Sequence, residues 1–203
     1  EVDIIKAIQL LPGVQSSEGT SGFYVRGGGP DQNLILLDGV PVYNASHLGG
    51  IFSVFNADAI KSVRLTKGGF PARFGGRLSS VLQIDMKEGN SKEFKGDATI
   101  GLISSKFTFE GPIIKDKTSF IISARRTYVD LIVSPFLPST TDLTLYFYDL
   151  NAKINHKLSK KDRIYLSAYT GKDKLGVNFS ESFIDQITNC LLYTSPSPRD
   201  LSE

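Results

Sequence analysis

The sequence predicts two successive units of different construction. The first is a small α+β unit of short strands, one short helix and glycine-rich crossings. The second is an antiparallel sheet of longer strands. Three observations point there. Short apolar runs in the first half are broken by Asp38-Gly39 and by Gly68, Gly69, Gly75 and Gly76. The second half alternates with period two over stretches rich in aromatic and β-branched residues. Between the halves lies a polar break, Glu88-Gly-Asn-Ser91. A chain of 203 residues with 40% hydrophobic residues is long enough for one or two folded units. A net charge of +2 argues against a dedicated nucleic-acid binder.

In chain order, residues 2–11 predict an amphipathic helix. Ile4, Ile5, Ile8 and Leu11 share a face, Lys6 and Gln9 lie off it, and Pro12-Gly13 stops it. Residues 15–22 are polar and loop-like. Residues 23–26 form a strand entering Arg26-Gly-Gly-Gly29. Leu34-Ile-Leu-Leu37 followed at once by Asp38-Gly39 signals a hairpin. Its return arm holds Pro41, which lacks an N–H and belongs at a sheet edge. Residues 43–54 are a small-residue connection. Residues 55–58 begin a short turn or helix, with Asn56 or Asp58 placed to cap it. Residues 62–66 and 81–85 alternate as strands.

The glycine loop at Arg26 is neither a phosphate-binding loop nor a dinucleotide fingerprint. No Gly-Lys-Ser/Thr follows it, a proline does, and no helix opens there. A structural loop is the leading physical reading. Catalysis finds no support, since no Ser/His/Asp or Cys/His set is visible. Of the two histidines, His47 and His156, His47 has no neighbours at metal-ligand spacing. His156 falls at the end of a strand, as a surface or interface residue. No cofactor is implied.

From residue 91 onward, four or five strands are expected. Residues 94–102 and 104–110 pair, residues 111–117 turn, and residues 118–130 form a longer strand. Residues 131–144, with Pro135 and Pro138, form a loop. In residues 145–158, Tyr146, Tyr148, Leu150, Ala152 and Ile154 alternate with Phe147, Asp149, Asn151, Lys153 and Asn155. Residues 159–162 turn tightly, and Ile164, Leu166 and Ala168 share a face of the next strand. Arg125-Arg126 is a basic pair whose side chains point to opposite faces, so it is no patch. This alternation has two readings: a half-buried sheet in water, or a membrane barrel with an apolar lipid face and a polar lumen. No run of 18 apolar residues exists, so no membrane-spanning helix is expected. Tyr146 and Tyr148 would suit an interfacial aromatic girdle. Turns alternate short, long, short, as in barrels.

The order of motifs carries a resemblance. Val-Arg-Gly at 25–27, Gln-Asn-Leu-Ile-Leu-Leu-Asp-Gly-Val-Pro-Val at 32–42, Asp-Ala-Ile-Lys-Ser-Val-Arg-Leu-Thr-Lys-Gly at 58–68 and Phe-Gly-Gly at 74–76 resemble the plug domain of TonB-dependent outer-membrane receptors. The closest type is the one common in Bacteroidetes-like bacteria. Leu-Leu-Pro-Gly-Val at 10–14 resembles the plug's opening helix. Phe-Glu-Gly-Pro-Ile at 109–113 with Asp-Lys-Thr-Ser-Phe at 116–120 resembles the start of the receptor barrel, and this favours the membrane reading.

The resemblance implies three segments. Residues 1–90 would be a plug domain truncated at its N-terminus. Residues 91–189 would be the first strands of a transmembrane β-barrel, incomplete. Residues 190–203 look like the in-frame translation of a sequencing adapter. The implied function is that of a receptor in the outer membrane of a Gram-negative bacterium. It would bind a ligand outside (a siderophore, cobalamin, a glycan or a peptide) and import it when energised by TonB, which acts on a segment upstream. Family basic residues at the Arg-Gly and Lys-Gly motifs pair with barrel-wall glutamates; the matching positions are Arg26 and Lys67. Lysine at the second supplies a point charge rather than a bidentate fork. The competing function is a soluble β-rich binding or adhesion module with no transport role. Starting at Glu1 without Met, the chain is expected to be a fragment. Five strands cannot close a barrel, for which eight is the bacterial minimum, so the fragment alone is not expected to transport.

Overall fold

The computed structural model describes residues 3–16, 22–136, 141–159, 161–179 and 186–194. The chain divides into two units, Glu1–Glu88 and Gly89–Tyr193.

The first unit opens with helix α1, Ile4–Gln9. Asp3 caps it, its Oδ1 accepting from Ile5 N at 2.9 Å. Its Oδ2 accepts from Ser53 N at 2.9 Å, which pins the helix start to a distant segment. Ile4, Ile5 and Ile8 are buried as expected, but Leu11 is exposed. The helix has already ended at the Leu10 cap, so Leu11 no longer follows the helical face.

Strands β1 (Val14–Ser16) and β2 (Phe23–Val25) pair antiparallel. Gln15 and Ser16 are therefore strand rather than loop; residues 17–21 of the expected loop lie outside the described residues. Strands β3 (Asn33–Leu37) and β4 (Val40–Pro41) form the hairpin. Asp38 at φ 49° and Gly39 at φ 86° give it the twist of a type I′ turn. Strands β5 (Ser46–His47) and β6 (Phe52–Ser53) make a small ladder of their own. Asn56 caps a 3₁₀ turn at Ala57–Ala59 by accepting from Asp58 N at 3.1 Å.

Strands β7 (Ile60–Thr66) and β8 (Ser80–Met86) complete a four-stranded mixed sheet in the order β4-β3-β8-β7. Strand β8 lies parallel to β3 and antiparallel to β7. It is the sheet's centre, with Val81, Leu82, Ile84 and Met86 at most 1% exposed. Pro41 sits on an edge strand, where its missing N–H costs no ladder bond.

The second unit is a meander. Its sheet runs β9 (Lys95–Ile100), β10 (Ser104–Ile114), β11 (Thr118–Thr127), β12 (Thr141–Lys157), β13 (Arg163–Phe179) and β14 (Gln186–Thr194), each beside the next in sequence. Several boundaries differ from expectation. Strand β10 continues through Gly111 and Pro112 to Ile114, and only residues 115–117 turn. Strand β9 ends opposite Glu110, so Pro112 falls where β10 has lost that neighbour. Strand β11 stops at Thr127, and Val129–Val133 form a short helix, α2, inside what was expected to be strand end and loop. Strand β12 starts four residues earlier than alternation indicated, at Thr141. Strand β14 crosses the expected segment boundary at residue 190.

Register decides what the alternation means. One face carries Thr108, Ser123, Arg125, Asp149, Asn151, Lys153 and Asn155, all buried. The other carries Phe107, Ile122, Leu150, Ile154, Ile164 and Leu166, all at least 40% exposed. The hidden face also holds Ile121, Phe147 and Tyr169, but most of its side chains are polar, while the bared face is mostly apolar. A sheet half-buried in water shows the opposite.

Candidate functional site

The Arg26 loop is built by a second left-handed turn. Val25 and Gly28 bond each other's backbone in both directions, at 3.2 and 2.9 Å. Arg26 at φ 50° and Gly27 at φ 82° occupy the two middle positions. Gly28 is needed for a different reason: a Cβ there would stand 2.5 Å from the Ser79 side chain. Ser79 Oγ donates to Val25 O at 2.7 Å, and Ser79 N to Gln32 O at 3.0 Å. Buried Asn33 ties the loop down. Its Nδ2 donates to Phe23 O at 2.8 Å, and its Oδ1 accepts from Ser80 Oγ at 2.7 Å. The glycines thus serve a turn braced against the start of β8.

That turn and the Lys67-Gly68 loop meet at the end of α1. Arg26 N donates to Gly13 O at 3.2 Å, and Lys67 Nζ donates to Pro12 O at 2.5 Å. The Arg26 guanidinium lies over Gly68, 3.5 Å from where a Cβ would be. Two cations 41 positions apart in sequence (67 − 26) are so gathered around one Pro-Gly turn. Among the described residues neither pairs with a carboxylate. Arg26 is exposed and Lys67 half-buried. Arginine is an unusual occupant of a left-handed position, which costs of order 1–2 kcal/mol and is held here by its surroundings.

Sequence reasoning missed the charges of the second unit. Arg125 Nη2 stands 2.6 Å and Nε 2.8 Å from Asp149 Oδ2, with side chains 3% and 0% exposed. The guanidinium also lies 4.9 Å over the Phe147 ring. Lys153 lies 4.9 Å over Tyr165. Thr127 Oγ1 accepts from Phe147 N at 2.9 Å. The signal was present in part, because Arg125 and Asp149 each sit in the polar phase of their strand. Pairing them requires the register of β11 on β12. The apolar face ends in rings at both extremes. Near the short turn, Phe94, Phe109 and Phe120 cluster with centroids 5.6–6.4 Å apart. Near the long connection stand Tyr146 and Tyr148.

This geometry defines a braced unit of short strands followed by an antiparallel meander that hides most of its polar side chains. Residues 1–80 match the family model of the TonB-dependent Receptor Plug Domain. Among solved structures, the chain is similar to the siderophore receptor PirA from Acinetobacter baumannii, at 21% identity and TM-score 0.62 over 85% of this chain and 29% of that one. It is similar to PirA from Pseudomonas aeruginosa at 20% identity and TM-score 0.60, over 85% and 31%. A variant of the ferric enterobactin receptor PfeA from Pseudomonas aeruginosa gives 18% identity and TM-score 0.58, over 85% and 30%. At these identities the likeness establishes fold: a plug followed by the antiparallel strands that begin a receptor barrel. The chain spans about three-tenths of the length of those receptors. No curated protein sequence matches it significantly.

Proposed function

We propose that the chain is the plug and opening wall of an outer-membrane receptor, of the Bacteroidetes type, in a Gram-negative bacterium. In this reading the plug occludes the barrel, a ligand binds from outside, and TonB pulling from the periplasm rearranges the plug to admit it. One observation carries the reading. The second unit hides Arg125, Asp149, Asn151 and Lys153 and bares Leu150, Ile154 and Leu166. That is the alternation a lipid-facing barrel wall requires. It disfavours the soluble module, which would expose that apolar face to water. The ligand class stays a set of four: siderophore, cobalamin, glycan or peptide.

Arg26 and Lys67 supply the lock. Their clustering puts two positive charges, one exposed and one half-buried, around one turn, suited to wall carboxylates farther along the receptor. A left-handed arginine, kept where asparagine or glycine would be relaxed, supports a role for its side chain. The test is conductance of the full-length receptor in planar bilayers. The intact protein is expected to stay closed, and the protein lacking residues 1–88 to conduct steadily. Equal conductance of the two would overturn occlusion. Arg26→Glu and Lys67→Glu are expected to lower the urea concentration at which the intact protein starts to conduct; no shift would remove the lock while leaving occlusion standing.

A further inference from the structure

The polar break at Glu88-Gly-Asn-Ser91 is a fastening rather than a slack tether. On its first side, Lys87 N donates to Ala59 O at 2.8 Å, and Lys61 Nζ stands 2.9 Å from Glu88 Oε1. Gly89, the very next residue, is wedged against β11. A Cβ there would run into the Phe120 carbonyl and would stand 3.1 Å from Phe120 N. Phe120 lies in a strand paired on both sides, so its backbone has nowhere to move. Gly89 also sits at φ 77°, in the left-handed region. Glycine meets both demands at once.

The next five residues add to the hold. Asn90 Oδ1 accepts from Lys92 N at 2.9 Å and from Glu93 N at 3.2 Å, which folds the segment back on itself. Ser91 O accepts from Asp116 N at 2.9 Å, in the turn between β10 and β11. That turn is itself braced, since Lys117 O accepts from Lys157 N of β12 at 2.9 Å. Phe94 closes the segment. Its ring covers the bare backbone of Gly111, where a Cβ would collide with it, and stacks on Phe109 at 5.9 Å. Residues 89–94 are thus held by β10, β11 and the turn between them before β9 begins at Lys95.

We propose that residues 89–94 are the fixed end of the plug, with Gly89 and Asn90 as its positioning residues. A pull on the N-terminus draws out chain upstream of Gly89, while the segment after it stays seated on the wall. This proposal rests on the receptor reading above. A seated end also shortens the way back. The plug refolds from β8 outward beside a residue that never left, with only a short loop to close at each step. A slack joint of six residues would instead let its end wander by about 20 Å.

The test is single-molecule pulling at constant force on the full-length receptor in a lipid bilayer, through a thiol handle at Glu1→Cys. In the wild type, extraction is expected to pause once the chain up to Glu88 is extended, at about 290–320 Å. Gly89→Ala is expected to abolish that pause and move it to Lys95, about 20 Å farther out. Asn90→Ala is expected to shorten the pause roughly five-fold, as losing a cap of this kind does, and Asn90→Asp, which keeps the acceptor, to restore it. The Asn90 pair decides the matter if Gly89→Ala does not insert. A wild-type pause already at Lys95, a pause unmoved by Gly89→Ala, or a pause as long in Asn90→Ala would each overturn the proposal. Heat-modifiable mobility on gels separates the two readings. Insertion without a pause at Glu88 sinks this inference alone, whereas failure of the wild type to insert sinks the receptor reading with it.

Discussion

The two units bury opposite things. The first hides Val81, Leu82, Ile84 and Met86 and leaves Lys61 and Arg64 outside. The second hides an arginine, an aspartate, a lysine and two asparagines and leaves leucine, isoleucine and phenylalanine outside. Both are sheets from one chain, so the difference is not one of backbone. In the receptor reading it is a difference of solvent. A water-facing unit gains by removing apolar area from contact with water. A lipid-facing wall gains nothing by hiding leucine from hydrocarbon, and must instead give every inward polar group a partner.

Four comparisons break or sharpen that contrast. The largest effect is expected inside the wall. Asp149→Ala strands Arg125 at 3% exposure and should cost about 3–5 kcal/mol. Arg125→Met with Asp149→Leu should recover most of it. Urea unfolding of the receptor in vesicles reads both, and a double variant no better than the single would show that the pair does more than satisfy itself. Next comes a matched pair of leucines. Leu82→Ala in the plug core should cost about 2–5 kcal/mol. Leu150→Arg on the wall should cost about 2–4 kcal/mol in a bilayer. If the wall faced water, Leu150→Arg would stay within about 0.5 kcal/mol, as surface changes do.

Third, Asp38 accepts from Met86 N at 2.9 Å while holding a left-handed turn. Asp38→Ala removes a buried acceptor and should cost about 1–3 kcal/mol, with Asp38→Asn milder; denaturant midpoints of the first unit compare them. Smallest is Lys61→Ala. It breaks a half-exposed pair with Glu88 at 2.9 Å and should change stability by less than about 1 kcal/mol. A larger effect would mean that the outer edge of β7 is not simply solvated.

Legibility followed the range of the interactions. The Asp38-Gly39 hairpin, the Asn56 cap and the phase of β12 could be read, because each depends on residues within a few positions. Helix α2 was hidden by Val129, Ile132 and Val133, β-branched residues that favour strand on local grounds. Pro112 suggested a turn, and only the end of β9 opposite Glu110 shows why a strand tolerates it. Arg26 and Lys67 were singled out by the resemblance, and their meeting at Pro12 and Gly13 belongs to the tertiary fold. The phase of alternation was legible while its sign was not. Deciding which face is hidden requires knowing what surrounds the sheet, and period two is the same in water and lipid.

All six residues of β9 are exposed, and among the described residues the sheet has nothing beyond it on that side. In a closed wall that edge is sealed by whichever strand is made last. The first strand of the wall to leave the ribosome is then the last to be fully paired, and closure becomes a deadline. Anything meant to be enclosed has to be in place before the final strand docks. A plug encoded ahead of the wall is synthesised in time to meet that deadline, so the order of the gene doubles as an order of assembly.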